Sequence, residues 1–153
     1  MVEIIEMEME EIVAVLQQVE YAHLACAVNE RPYIVPIHFV YSQPYLYIFT
    51  SEGKKTDMLA RNSQICMQVE DVRKADTWRS VIVEGRAERL NQPESREEAL
   101  ALIRRRNPSL TPAKSRTWKD KWGFERVPVI YRIQPEVLTG RKTSRRTRKR
   151  RPR

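Results

Sequence analysis

The segment from Tyr45 to Leu59, YLYIFTSEGKKTDML, carries the residue types that hold an anion, in a workable order. An apolar run ends in two hydroxyls, Thr50 and Ser51, that can donate hydrogen bonds. Gly53 then lets the backbone approach a ligand closely, and Lys54 and Lys55 add positive charge where a helix would begin. The first N–H groups of a helix have no acceptor within it and point outward, so a phosphate is the anion this junction suits best. Taken alone, the same string also fits a solvated turn with a capping hydroxyl.

Two other segments narrow the choice. In Arg31-Pro32-Tyr33-Ile34-Val35-Pro36-Ile37-His38-Phe39-Val40-Tyr41 a proline interrupts a strand-like run. Pro36 has no N–H for a sheet ladder, so it marks an edge, a bulge, or a place where a ligand meets the backbone of Val35, Pro36 and Ile37. Alternation puts Ile34, Pro36, His38 and Val40 on one face and Val35, Ile37 and Phe39 on the other. With the second set in the core, His38 looks toward the gap. An imidazole there can exchange a proton near neutral pH or contact a substrate, and a histidine hydrogen-bonded in the barrel wall fits equally. The third segment opens with Trp78, Arg79 and Ser80. Trp78 can stack on a planar ring and Arg79 can pair with a phosphate, although a tryptophan there also fits a core or interface position.

Composition excludes several alternatives. The 153 residues suit one domain with a single core. Cys26 and Cys66 lie in apolar runs without metal-ligand spacing and read as small hydrophobic residues. With two histidines in the chain, no metal site is expected. The acidic start, Met1 to Glu11, has neither a basic lead nor an apolar span, so a cytoplasmic protein without a membrane segment is expected. Four glycines and no GxGxxG leave no nicotinamide-binding fingerprint.

The formal charge of +8 is unevenly spread. Residues 141–153, RKTSRRTRKRRPR, hold nine of the 28 basic side chains, leaving 19 basic and 20 acidic in residues 1–140. A nearly neutral domain over 1–140, followed by a disordered basic tail over 141–153, is therefore predicted. Such a tail can bind nucleic acid or another acidic surface, or remain a solvated appendage.

Three helices and six strands must position the three segments. Helical spacing of apolar residues predicts an amphipathic helix over about 7–19. Short apolar stretches at 22–28, 33–41, 45–50, 64–70, 78–90 and 127–134 predict six strands, with turns at Asn29-Glu30-Arg31-Pro32 and Ser42-Gln43-Pro44. Lys55–Arg61 and Glu94–Arg106 predict two more helices, and Pro135 and Gly140 are expected to end the fold. Segment 107–126 has no clear assignment. Strands in meander order, without strict alternation with helices, favour a mainly β (α+β) antiparallel barrel with peripheral helices.

In combination, PYIVPIHFVY, YLYIFTSEGKKTDML, NSQICMQVED, WRSVIVEGRAERL and VIYRIQPEVLTGR resemble the FMN-binding split-barrel proteins related to pyridoxamine 5'-phosphate oxidase. The pattern is nearest to the branch that includes the nitroimidazole-resistance (Nim-type) flavoproteins, and it covers about residues 10–141. The resemblance implies a six-stranded Greek-key split barrel, homodimeric, with FMN at the subunit interface. It implies that the backbone at Val35, Pro36 and Ile37 lies along the flavin ring, and that Thr50, Ser51, Lys54 and Lys55 bind the FMN phosphate. It further implies that Trp78, Arg79 and Ser80 border the cofactor, with the partner subunit as one source. The Arg-x-His and following basic stretch that grip substrate in pyridoxamine phosphate oxidase itself have no counterpart here, which argues against that reaction. The expected function is a flavin-dependent oxidoreductase acting on a small molecule. A deazaflavin or haem on the same fold, and a nucleic-acid-binding protein with a vestigial cofactor site, remain the alternatives.

Overall fold

A computed structural model describes residues 1–106 and 129–145. The unassigned segment 107–126 and the tail beyond Arg145 lie outside the described residues. The strands are β1 (Val2–Glu6), β2 (Tyr21–Val28), β3 (Arg31–Ser42), β4 (Tyr45–Thr50), β5 (Gln64–Lys74), β6 (Thr77–Arg89) and β7 (Val129–Arg145). The helices are α1 (Met9–Gln18), α2 (Lys54–Arg61) and α3 (Pro93–Arg106). All strand pairs are antiparallel, in the order β1-β7-β4-β3-β2-β5-β6, and β6 pairs back onto β7 to close the sheet. β2, β3 and β4 form a meander, and β5 returns through α2 to lie beside β2, which is Greek-key connectivity.

The described residues form seven strands rather than the six expected. Six close the ring, and β1 is the addition, hydrogen-bonded to the far end of β7 from Val2↔Arg145 to Glu6↔Arg141. This pairing also corrects the tail boundary. β7 continues through Gly140 to Arg145, so five residues assigned to a disordered tail belong to the sheet. A polar segment holds this conformation because its backbone pairs with β1 throughout, and Arg141 and Lys142 pair with β6 as well. Lys142 adds a salt bridge to Glu11 at 2.6 Å, and Arg145 one to Asp76 at 2.7 Å.

Pro135 and Gly140 do not end the fold. Pro135 sits where the β6–β7 register shifts, opposite Gly85, a position where a missing N–H is tolerated. A Cβ at Gly140 would lie 2.8 Å from Ile12 Cγ1, so glycine lets α1 settle directly onto the strand. Ile12, Val15 and Leu16 of α1 thereby join the barrel core of Leu24, Phe39, Ile48, Met67, Val81, Val83 and Ile133. α1 plugs one end of the barrel through its buried stripe. α3 covers the outside, where Ala99 and Ile103 pack on Val40, Phe49, Leu90 and Ile130.

The barrel wall parts along one seam. The β3–β4 ladder runs from Ser42↔Tyr45 to Phe39↔Ile48. Beyond it, β3 from Arg31 to His38 pairs only with β2 among the described residues, which leaves its other edge open.

Candidate functional site

β4 delivers Thr50 to the rim of the barrel, where it pairs with Val129, and the chain then turns through Ser51, Glu52 and Gly53 into α2. Those three residues are exposed and Thr50 is half-buried. Thr56, 2% exposed, ties the turn: its hydroxyl accepts from the Gly53 N–H and donates to the Gly53 carbonyl, both at 2.9 Å. The helix ladder starts with the Asp57 N–H donating to Gly53 O. The amides of Lys54, Lys55 and Thr56 come before that ladder, so they have no acceptor within the helix. Buried Thr56 and Leu59 seat α2 on the barrel and leave its N-terminal end facing out.

The lysines are held in different ways. Lys54 Nζ lies 4.5 Å from the centre of the Tyr33 ring, a cation–π contact that steers it toward β3. Lys55 is half-buried. Neither lysine forms a salt bridge among the described residues. Both sit close enough to Cys26 to oppose, without overcoming, the rise that burial imposes on its thiol. Burial likewise pushes up Cys66, helped by Glu84, and both sulfurs are free thiols. Among the described residues no His, Cys, Asp and Glu cluster could hold a metal.

Tyr33 links the junction to the proline-broken strand, since Tyr33, Val35 and Ile37 face inward in alternation. Val35 is half-buried and Ile37 buried, while Ile34, Pro36 and His38 are exposed, as the alternation predicted. The His38 ring stacks 6.5 Å from Phe49 of β4 and meets Tyr21 edge-on at 6.2 Å. It therefore stands at the β3–β4 seam. The junction and the proline-broken strand are thus linked at two points, Lys54 on Tyr33 and His38 beside Phe49, the residue before Thr50.

Trp78, Arg79 and Ser80 do not join them within a single chain. They sit at the far end of β5 and β6, where Val72↔Trp78 pairs, while α2 enters β5 at Gln64. Eight residues of strand, about 26 Å, lie between Gln64, just past the C-terminal end of α2, and Val72. Arg79 donates to Asp71 Oδ2 at 2.7 Å and to Gln18 Oε1 at 3.1 Å, so a carboxylate already holds its charge. The Trp78 N–H donates to Thr143 Oγ1 at 3.0 Å, and Gln68 Nε2 donates to Ser80 Oγ at 3.1 Å. With Glu70 and Val72 these residues line a groove of about 310 Å³. Its lining of Trp78, an acidic Glu70 and an arginine already paired with Asp71 suits a planar group better than a phosphate.

Three contributors were missed in the sequence. Thr56 and Tyr33 lie inside the segments singled out, and a hydroxyl three residues into a helix start is a recognisable capping signal. The third is Arg89, the last residue of β6, whose guanidinium bonds the Glu52 carboxylate and which pairs across the ladder with Tyr131. Nothing local announces it. Barrel closure alone brings it to the junction.

Comparison with known proteins gives a consistent picture. An uncharacterized protein of Rhizobium meliloti is 28% identical over 148 residues, covering 88% of this chain and 92% of that protein. The crystal structure of a FAD-binding protein from Mesorhizobium loti superposes with a TM-score of 0.75 at 27% identity, covering 95% of this chain and all of that one. A proposed 5-nitroimidazole antibiotic resistance protein from Bacteroides thetaiotaomicron superposes with a TM-score of 0.71 at 21% identity, covering 94% and 89%. The family model of pyridoxamine 5'-phosphate oxidase matches residues 8–142, from the start of α1 to the last residue pair of the β6–β7 ladder, and the chain belongs to that family.

Proposed function

We propose that this chain binds a flavin, with the phosphate of FMN held at the β4–α2 junction, and that it acts as a flavin-dependent oxidoreductase on a small molecule. The observation that carries the reading is the pair Lys54 and Lys55, free of salt bridges among the described residues, at a helix start beside the open edge of β3. The residues fit the group: uncommitted first-turn amides, two cations and two hydroxyls match a phosphate, and the backbone from Val35 to Ile37, paired with β2 on one edge, has its other edge open to a heterocycle. The Mesorhizobium protein's description as FAD-binding supports a flavin.

In this reading Lys54, Lys55, Thr50 and Ser51 bind the phosphate, and Val35, Pro36 and Ile37 set the position of the ring. The flavin supplies hydride or electron transfer. His38, exposed at the seam, holds or hands over a proton on the small-molecule side. A second copy of the chain completes the site in a homodimer by presenting its Trp78, Arg79 and Ser80 end. The outer face of β2 and β3, with Tyr21 43% and Ile34 64% exposed, supplies apolar surface for such a contact.

Titration of the full-length protein with FMN, FAD, riboflavin, a deazaflavin and haem tests the reading. FMN binding at micromolar or lower concentration is expected, and the reading fails if no flavin binds. FAD is a second reading, favoured by the Mesorhizobium protein's description, and its inner phosphate would use the same lysines. Turnover of nitro compounds with reduced nicotinamides by the FMN-loaded protein then tests the oxidoreductase step. Loss of turnover in His38→Asn with FMN affinity kept would assign the proton to His38.

A further inference from the structure

Glu52 is an odd residue for a phosphate site. It stands between Ser51 and Gly53, inside the stretch that would surround the anion, and its carboxylate repels what the lysines attract. The structure answers that charge. Arg89 reaches across from the end of β6 and bonds Glu52. Arg89↔Tyr131 is a paired position in the β6–β7 ladder, so the guanidinium stands on rigid sheet. Counting Glu52, Lys54, Lys55, Asp57 and Arg89, the junction carries one net positive charge with Arg89 and none without it.

We propose that the Arg89–Glu52 pair makes this junction selective for a phosphate monoester: Arg89 is a positioning residue that offsets Glu52 and pins the turn without touching the ligand. The inference rests on the flavin reading above and deepens it, because three flavins differ in this respect. The FMN phosphate is a monoester carrying about −1.5 to −2 at pH 7. FAD has less charge on each phosphorus, and riboflavin has none. The pair adds little to folding, since both side chains are about half exposed, at 42% and 48%. Its contribution is to the field at the ligand.

The experiment titrates FMN, FAD and riboflavin into the full-length protein and its Arg89→Gln, Glu52→Gln and doubly substituted variants. Arg89→Gln is expected to weaken FMN about tenfold at low salt, FAD less and riboflavin not at all, with the FMN loss shrinking as ionic strength rises. The double variant, lacking both charges, is expected to return FMN affinity to within about threefold of the parent. Glu52→Gln alone should tighten FMN and leave riboflavin unchanged, which keeps the test decisive if Arg89→Gln does not fold. Equal losses for all three flavins would reduce Arg89 to a structural strut and overturn the proposal, as would failure of the double variant to recover or an unchanged FMN affinity in Glu52→Gln. A parent protein that binds no flavin overturns the flavin reading and this proposal together. A parent that binds FMN, with Arg89→Gln equally tight, overturns this proposal alone.

Discussion

The start of α2 and the start of β6 hold basic residues in opposite states. At the β4–α2 end, Lys54 leans on an aromatic ring and Lys55 is half-buried, and neither meets a carboxylate among the described residues. At the β5–β6 hairpin, Arg79 is locked to Asp71 and Gln18. In sequence both look like basic residues available to an anion. The folded chain leaves one set available and commits the other to itself, and the first corner alone combines charge with unsatisfied amides.

The sharpest way to break this comparison is to remove charge at each end in turn. Lys54→Ala with Lys55→Ala should weaken FMN binding tenfold or more, given about 1.5 to 3 kcal/mol for a hydrogen bond to a charged group. Arg79→Ala should change the advantage of FMN over riboflavin by less than about threefold, because its charge is already met by Asp71. Equal losses from the two sets, read by fluorescence titration, would erase the distinction.

A smaller effect probes the turn that presents the lysines. Thr56→Ala removes both bonds to Gly53 and should cost about 1 kcal/mol of stability, as cap losses do, with Thr56→Ser recovering most of it in chemical denaturation. Smaller again, Asp71→Asn at the other end should cost under about 1 kcal/mol, because the ion pair is a quarter exposed and Gln18 still holds the guanidinium.

The last effect vanishes at neutral pH. Burial holds the Tyr131 phenol, beneath the junction, above its ordinary pKa of 10.0, as it does Tyr41 and Tyr47. The unfolded chain ionises first, so the tyrosines' contribution to stability is flat below about pH 10 and falls as pH rises from there through the folded-state values. Tyr131→Phe should soften that alkaline decline, as followed by circular dichroism, while Trp78→Phe at the other corner should leave its slope unchanged.

Much of this was legible in the sequence because it is local. Strand punctuation, the Pro36 break, the alternation that exposes His38 and the hydroxyl-glycine-lysine junction all come from neighbouring residues. What escaped was non-local. Val2–Glu6 reads as the approach to a helix because Ile4 and Ile5 stand among glutamates at a spacing that runs on into Ile12, Val15 and Leu16, and residues 141–145 read as unable to pack for want of apolar side chains. Each is a strand only because the other is there, and the acidic and basic ends that composition separated are bonded to each other through Glu11 and Lys142. Arg89 was hidden for the same reason. Its role depends on the register that sets it opposite Tyr131, and no short window contains that register.

The seventeen residues of β7 touch β4, β6 and β1, so the last described strand is the one that closes the barrel. On a ribosome this delays completion. Until Val129 and the residues after it emerge, β4 and β6 carry open edges and the first strand has nothing to pair with. Such edges template wrong partners, and distant pairings form slowly, so the nascent chain passes through a period in which it depends on dilution or chaperones to stay single. A chain released before β7 should aggregate rather than fold as a smaller barrel.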